Sequence, residues 1–221
     1  MAVDPLILQK GHLYLKTDSG LWLFDTGAPT SFGTDPLALA GEQFHPPSGC
    51  MGLSVDTLRE YTEVECQGLL GADILEKFDY VIDVPGGTVE ISSDPLELER
   101  SLIPLERFMG IPLMSVTVRD REFQMVLDTG ASISYLDDAN IATFPHVGSE
   151  TDFFPVIGRF QVETHAVEFS IGGNAYTLRC GTLPSLLNIT LQMVGAQGII
   201  GNEIFAAGPV GYFPRRKLLA I

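Results

Sequence analysis

Two short motifs in this chain bring together residue types that can do chemistry. They are Asp25-Thr26-Gly27 and Asp128-Thr129-Gly130, each preceded by two apolar residues and followed by an alanine, Ala28 or Ala131. Such a pattern delivers an aspartate from a buried strand into a tight turn, where the glycine permits a backbone approach that a Cβ would block. Were the two turns to face each other across a near-twofold seam, Asp25 and Asp128 would meet there. Thr26 and Thr129 could then bond across to the opposite turn and fix both carboxylates. Two carboxylates that close cannot both ionise, so one pKa rises and the pair shares a proton. The result is an acid and a base in one site. The base takes a proton from a trapped water, and the acid protonates a carbonyl or a leaving nitrogen. That chemistry suits amide hydrolysis without a metal or a covalent intermediate, and its titration belongs to the pair.

The motifs belong to a longer internal repeat. Residues 12–32 and 115–135 align without a gap, with apolar matches at Leu13/Val116, Leu15/Val118, Leu23/Val126, Phe24/Leu127 and Phe32/Tyr135. A second block recurs in the same order, GLLGADIL at 68–75 and GIIGNEIF at 198–205. Two related halves follow, an N-terminal lobe over 1–97 and a C-terminal lobe over 98–221, joined through the proline-bearing, charge-alternating segment 94–108.

The elements that must position the aspartates are short strands. Residues 116–119 and 123–127 read as two strands around a charged turn, and 13–15 and 21–24 do the same around Asp18-Ser19-Gly20. Short helical stretches follow the repeated glycines at 72–78 and 202–207, and strand pairs follow them at 80–84 with 88–91 and at 210–213 with 217–221. Two further helices are predicted, 54–61 capped by Ser54 and 185–194 capped by Ser185. The interval from Asp128 to Gly201 exceeds that from Asp25 to Gly71 by about 27 residues. The surplus, within 149–178, reads as strands with turn signals near 156–159 and 172–174. A long hairpin present in one half only is a candidate lid over a site between the halves.

Composition narrows the function classes. The chain has 221 residues, 45% hydrophobic and 19% charged, with 23 glycines and 14 prolines. This suits a folded protein of many short strands better than a helical bundle. A formal net charge of -15 disfavours nucleic acid and anionic lipid as partners. No apolar run is long enough for a membrane helix. The N-terminus lacks the basic start and long apolar core of a secretion signal and leaves little room for a pro-segment. Three cysteines, Cys50, Cys66 and Cys180, fit a reduced, cytoplasmic protein, with no spacing that suggests zinc.

FDTGAPTS and VLDTGASIS, each with its downstream Gly-apolar-apolar-Gly, resemble the active-site loops and psi-loop motifs of the pepsin/retropepsin aspartic protease clan. The resemblance covers nearly the whole chain. It implies an all-β fold with a few short helices, two pseudo-twofold-related lobes and the active site between them. It implies an aspartic endopeptidase that acts as a monomer on a peptide or protein substrate, with no cofactor and no metal. Asp25 and Asp128 match the catalytic pair, and Thr26 and Thr129 the threonines that bond across it. Gly27 and Gly130, with Ala28 and Ala131, complete the active-site loops, and Gly71 and Gly201 match the psi-loop glycines. The stretch from Val156 through Ile157, Gly158, Arg159 and Phe160 resembles a flap tip. Here the flap falls in the C-terminal half, unlike the pepsin arrangement, and no tyrosine lies near its tip. Both loops carry alanine where pepsins usually carry Ser or Thr. Losing that hydroxyl leaves the pair less acidic and predicts activity at mildly acidic to neutral pH.

The remaining candidates have plainer assignments. Trp22 reads as packing, and His12, His45, His146 and His165 as surface or loop residues. Asp137-Asp138 reads as a solvated loop, Arg215-Arg216-Lys217 as a solvated turn, and the Asn188-Ile189-Thr190 sequon as unused. No histidine pairs with a Ser or Cys nucleophile, which disfavours a triad hydrolase. Two other functions share the same motifs: a non-catalytic peptide- or protein-binding module, and a scaffold whose cleft is incidental.

Overall fold

The computed structural model describes residues 2–136, 141–154 and 157–221. The fold is mostly β with a few short helices. Its two large sheets are built around the aspartate-bearing strands Gly20–Phe24 and Arg121–Leu127. Each of these strands pairs with its neighbours in the same way. Gly20–Phe24 runs parallel to Gly68–Leu70, with Leu23 opposite Leu69 and Phe24 opposite Leu70. Arg121–Leu127 runs parallel to Gly198–Ile200, with Val126 opposite Ile199 and Leu127 opposite Ile200. On their other side, the strands Gly68–Leu70 and Gly198–Ile200 pair antiparallel with Phe32–Gly33 and Ser134–Leu136. The repeated sequence blocks therefore occupy repeated positions.

Apolar residues run unbroken into each aspartate because both faces of these strands are buried. Leu23 packs with Tyr14, Phe32, Leu58 and Cys66, whereas Phe24 turns to the opposite face and joins the main core. In the second half Val126 packs with Ile133, Tyr135, Leu187 and Leu191, and Leu127 joins the same main core as Phe24. That main core spans both halves and includes Tyr80, Ile91, Met114 and Met125.

The segment between the two halves does not separate the sheets. Strands Leu102–Pro104, Val210–Phe213 and Leu218–Ala220 extend the first sheet, with Tyr212 opposite Tyr80. The basic turn is exposed, as predicted, and it also holds this extension down. Arg215 Nε and Arg216 Nη2 bond the two carboxylate oxygens of fully buried Asp79 at 3.1 and 2.9 Å, and Leu96 N–H donates to the same carboxylate at 3.1 Å. A buried carboxylate needs such partners, and these side chains are long enough to reach it.

Three α-helices are described. The first, α1 (Val55–Thr62), starts as predicted, with Ser54 Oγ accepting Thr57 N–H at 3.2 Å. It stops at Glu63, which is left-handed (φ 56°). A single turn, α2 (Ala72–Leu75), follows Gly71, and a 3-10 turn, Asn202–Ala207, follows Gly201. The last, α3 (Ser185–Met193), is capped by Pro184 and not by Ser185. The extended ψ of Pro184 (140°) ends the preceding chain and places Ser185 already inside the helix. Among the described residues no helix is long and apolar enough to cross a membrane.

The surplus of the second half is a hairpin of strands His146–Phe154 and Gly158–Ile171, the latter also paired to Asn174–Thr182. Val156, predicted at its tip, and Asp137-Asp138 lie outside the described residues.

Candidate active site

The two predicted turns meet. Strand-end hydrogen bonds from Asp25 N–H to Leu70 O (3.0 Å) and from Asp128 N–H to Ile200 O (2.9 Å) fix where each strand stops. Each carboxylate is then gripped by its own turn. Asp25 Oδ1 accepts the N–H groups of Gly27 and Ala28 at 3.0 and 2.9 Å, and Asp128 Oδ1 accepts those of Gly130 and Ala131 at 2.9 and 3.2 Å.

The threonines lock the turns to each other. Thr26 N–H donates to Thr129 Oγ1 and Thr129 N–H to Thr26 Oγ1, both at 3.0 Å. Each hydroxyl spends its own proton on the opposite strand: Thr26 on Leu127 O at 2.7 Å, Thr129 on Phe24 O at 2.6 Å. Both threonines are buried, so all four polar groups need these partners.

Close approach explains the glycines. A Cβ on Gly27 would sit 2.3 Å from Asp128 Cγ, and one on Gly130 2.5 Å from Asp25 Cγ. Each turn thus lies directly against the opposite carboxyl. Gly71 and Gly201 stand behind the turns, where a Cβ would meet Ala28 O at 2.9 Å and Ile133 O at 2.3 Å. The carbonyls of Ala28 and Ala131 accept the N–H groups of Ala72 and Asn202, which open the short helical turns. The halves differ in detail here. Ser31 Oγ bonds Asp73 and Gly71 N–H, while Ser134 Oγ bonds only Gly201 N–H of that pair, because Glu203 turns away to Arg179.

The electrostatics follow from this geometry. Asp25 and Asp128 lie deep in the protein, each still partly accessible, and each carboxyl faces the glycine of the opposite turn. Burial first, then the negative charge and hydrogen bond of Asp128, push Asp25 well above the usual aspartate range of about 3.8, against the pull of the Ala28 and Gly27 N–H groups. Burial also raises Asp128, while the shared hydrogen bond pulls it down. Both members are thus pushed toward the protonated form, and they titrate as a unit.

The hairpin crosses to the first half. Arg159 Nη2 bonds Tyr61 O at 2.8 Å and Glu63 Oε1 at 2.9 Å, just past the end of α1, and Lys10 Nζ reaches Glu63 Oε2 at 3.3 Å. Gly158 is left-handed (φ +79°) at the turn beside Tyr61. Ile157 and Phe160 point the other way, onto the Leu113–Val126–Tyr135 cluster, with Phe160 and Tyr135 ring centres 6.3 Å apart. Phe153 packs against Tyr61 at 5.3 Å and His12 at 5.7 Å.

Several residues here were not singled out in the sequence. His12 is no surface residue: it is buried, and its Nδ1–H donates to Gly130 O at 2.8 Å. The turn before it brings Gly11 O to the side chain of Asn202 at 2.8 Å, which pulls His12 inward. Tyr135 aligns with Phe32 in the repeat, and the hydroxyl gained in one half only was the available signal. That hydroxyl donates to Asp152 Oδ2 at 2.5 Å. Asp152 itself carried no spacing signal. Trp22 is fully buried, as read from the sequence, and His45 and His146 are exposed, as read. Among the described residues no group of three or more His, Cys, Asp or Glu side chains is placed to hold a metal ion.

No family model matches the chain, and no curated protein matches it significantly.

Proposed function

We propose that this chain is an aspartic endopeptidase whose two related halves form a pepsin/retropepsin-like pair of lobes around Asp25 and Asp128. One observation carries the reading: each carboxyl is held by two N–H groups of its own turn while the glycine of the opposite turn lies directly against it. A preorganised acid beside a preorganised base is what metal-independent amide hydrolysis requires.

In the proposed cycle a water lies between the carboxyls. Ionised Asp128 takes one of its protons as its oxygen bonds the peptide carbonyl carbon, and Asp25 gives its proton to the carbonyl oxygen. The resulting gem-diol collapses with cleavage of the C–N bond. The departing nitrogen takes the proton held by Asp128, and one diol hydroxyl returns its proton to Asp25. The products are a carboxylic acid and an amine, and the pair is restored. The peptide lies extended beneath the hairpin, pairing by its backbone, with Ile157, Gly158, Arg159 and Phe160 forming the lid. Both aspartates come from one chain, so a monomer suffices. Three unpaired cysteines suit a reducing, cytoplasmic setting.

The test is incubation with a peptide library from pH 3 to 8, with and without pepstatin, read by mass spectrometry. Pepstatin-sensitive cleavage within extended peptides supports the reading. Binding of peptides with no cleavage at any pH replaces it with the non-catalytic binding module.

A further inference from the structure

Two peptide units grip the Asp128 carboxyl, and a side chain holds each of them from behind. The Thr129–Gly130 unit gives its N–H to Asp128 Oδ1 at 2.9 Å, and its carbonyl accepts an N–H of Asn202 Nδ2 at 3.3 Å. The Gly130–Ala131 unit gives its N–H to the same oxygen at 3.2 Å, and its carbonyl accepts His12 Nδ1–H at 2.8 Å. A carbonyl only accepts, so this contact fixes the proton on Nδ1. The two side chains are also tied together. Asn202 Nδ2 spends its second N–H on Gly11 O at 2.8 Å, next to His12 in the chain. Both residues are buried, and Phe153 of the hairpin packs on the His12 ring with centres 5.7 Å apart.

The first half has no counterpart to this clamp. The repeat puts Ser115 where His12 stands and Ala72 where Asn202 stands. Ser115 is exposed and donates to Glu122 on the neighbouring strand, and Ala72 has no side-chain donor to give. The two turns therefore share their grip on the aspartates but not the support behind it.

We propose that His12 and Asn202 are positioning residues that act on Asp128 through these two peptides and make it the fixed member of the pair. A donor on a peptide carbonyl polarises the N–H of the same unit, so each support strengthens the bond beyond it. The supports also remove freedom that Gly130 would otherwise allow the turn. A carboxyl held this way presents its other oxygen, Oδ2, to a water in a single orientation, which raises the rate of the step it serves.

The catalytic part of this role rests on the reading of Asp25 and Asp128 as the reacting pair, so amide exchange and cleavage are scored separately. Hydrogen exchange at Gly130 and Ala131 is followed by NMR against Gly27 and Ala28 in the wild type, His12→Phe and Asn202→Ala. His12→Phe keeps a ring against Phe153 and removes the donor, and Asn202→Ala installs the residue of the first half. Exchange at Gly130 and Ala131 speeds up by about tenfold or more in each variant, while Gly27 and Ala28 keep their rates. The kcat falls by about tenfold with KM unchanged. His12→Asn, whose amide can bring an N–H near the place of Nδ1, recovers most of both. Either donor-removing variant decides the matter should the other fail to fold. Exchange that is unchanged, or faster to the same degree in both turns, overturns the proposal, as does a wild-type kcat in a variant with fast exchange. Selective acceleration with no cleavage by any form, the wild type included, supports the clamp on Asp128 and sinks the hydrolase reading.

Discussion

Gly27 lies against the carboxyl of Asp128 so closely that a Cβ on it would be 2.3 Å from Cγ and 2.4 Å from Oδ2. The mirror contact, Gly130 against Asp25, is almost as close. Gly27→Ala therefore has to push the Asp128 carboxyl or its own turn aside. The expected result is a loss of peptide cleavage of about a hundredfold or more, with circular dichroism unchanged. Near wild-type turnover in Gly27→Ala contradicts the arrangement.

The crossed threonines predict a split between two substitutions. Thr26→Val keeps the shape but strands the buried Thr129 N–H and Leu127 O. Each group left without a partner costs about 1–3 kcal/mol, so urea unfolding at neutral pH should show a loss in that range or above it. Thr26→Ser retains the hydroxyl and should lose much less. Equal losses would mean that the methyl group, and not the crossed hydrogen bonds, holds the turns together.

Stability should depend on pH through the pair. The folded pair keeps a proton that the unfolded chain releases near the ordinary aspartate value of 3.8. Between that value and the raised folded value the native state binds more protons than the unfolded one, so stability falls as pH rises through this window. Asp25→Asn removes the ionisation. At pH 7 it should be more stable than the wild type, with the difference vanishing below the ordinary aspartate range. A variant less stable than the wild type at pH 7 would show that the pair is not strained by its shared charge.

The lid contact predicts a kinetic effect with little thermodynamic one. Arg159 bonds Glu63 and Tyr61 O at an exposed site, and Arg159 and Lys10 together hold Glu63 below the usual carboxylate range. Exposed pairs of this kind add little to stability. Arg159→Ala should leave the melting temperature nearly unchanged and raise KM by about two- to fivefold, an effect that fades in the wild type as salt is added. An unchanged KM at low salt would separate the hairpin tip from substrate binding.

Much of the site was legible because it repeats. A chain that must build the same aspartate turn twice writes the same residues twice, and Asp25, Thr26, Gly27 and the glycines at 71 and 201 could be read from that alone. What the repeat does not encode could not be read from it. His12, Asp152 and Tyr135 belong to contacts made in one half only, between segments far apart in the chain. The lone histidine and aspartate look like surface residues until the hairpin buries them. Arg215 and Arg216 do lie on an exposed turn, but their partner, Asp79, could not be read because it lies more than a hundred residues earlier. The cap of α3 was misread because Ser185 has the right type, but Pro184 already provides the extended entry.

The account stands or falls most directly on single-turnover cleavage of a library-derived peptide by the wild type, Asp25→Asn and Asp128→Asn under identical conditions. It predicts product from the wild type and a rate at least about a hundredfold lower from each variant, with both variants folded. Cleavage by either variant within a few-fold of the wild type would contradict it.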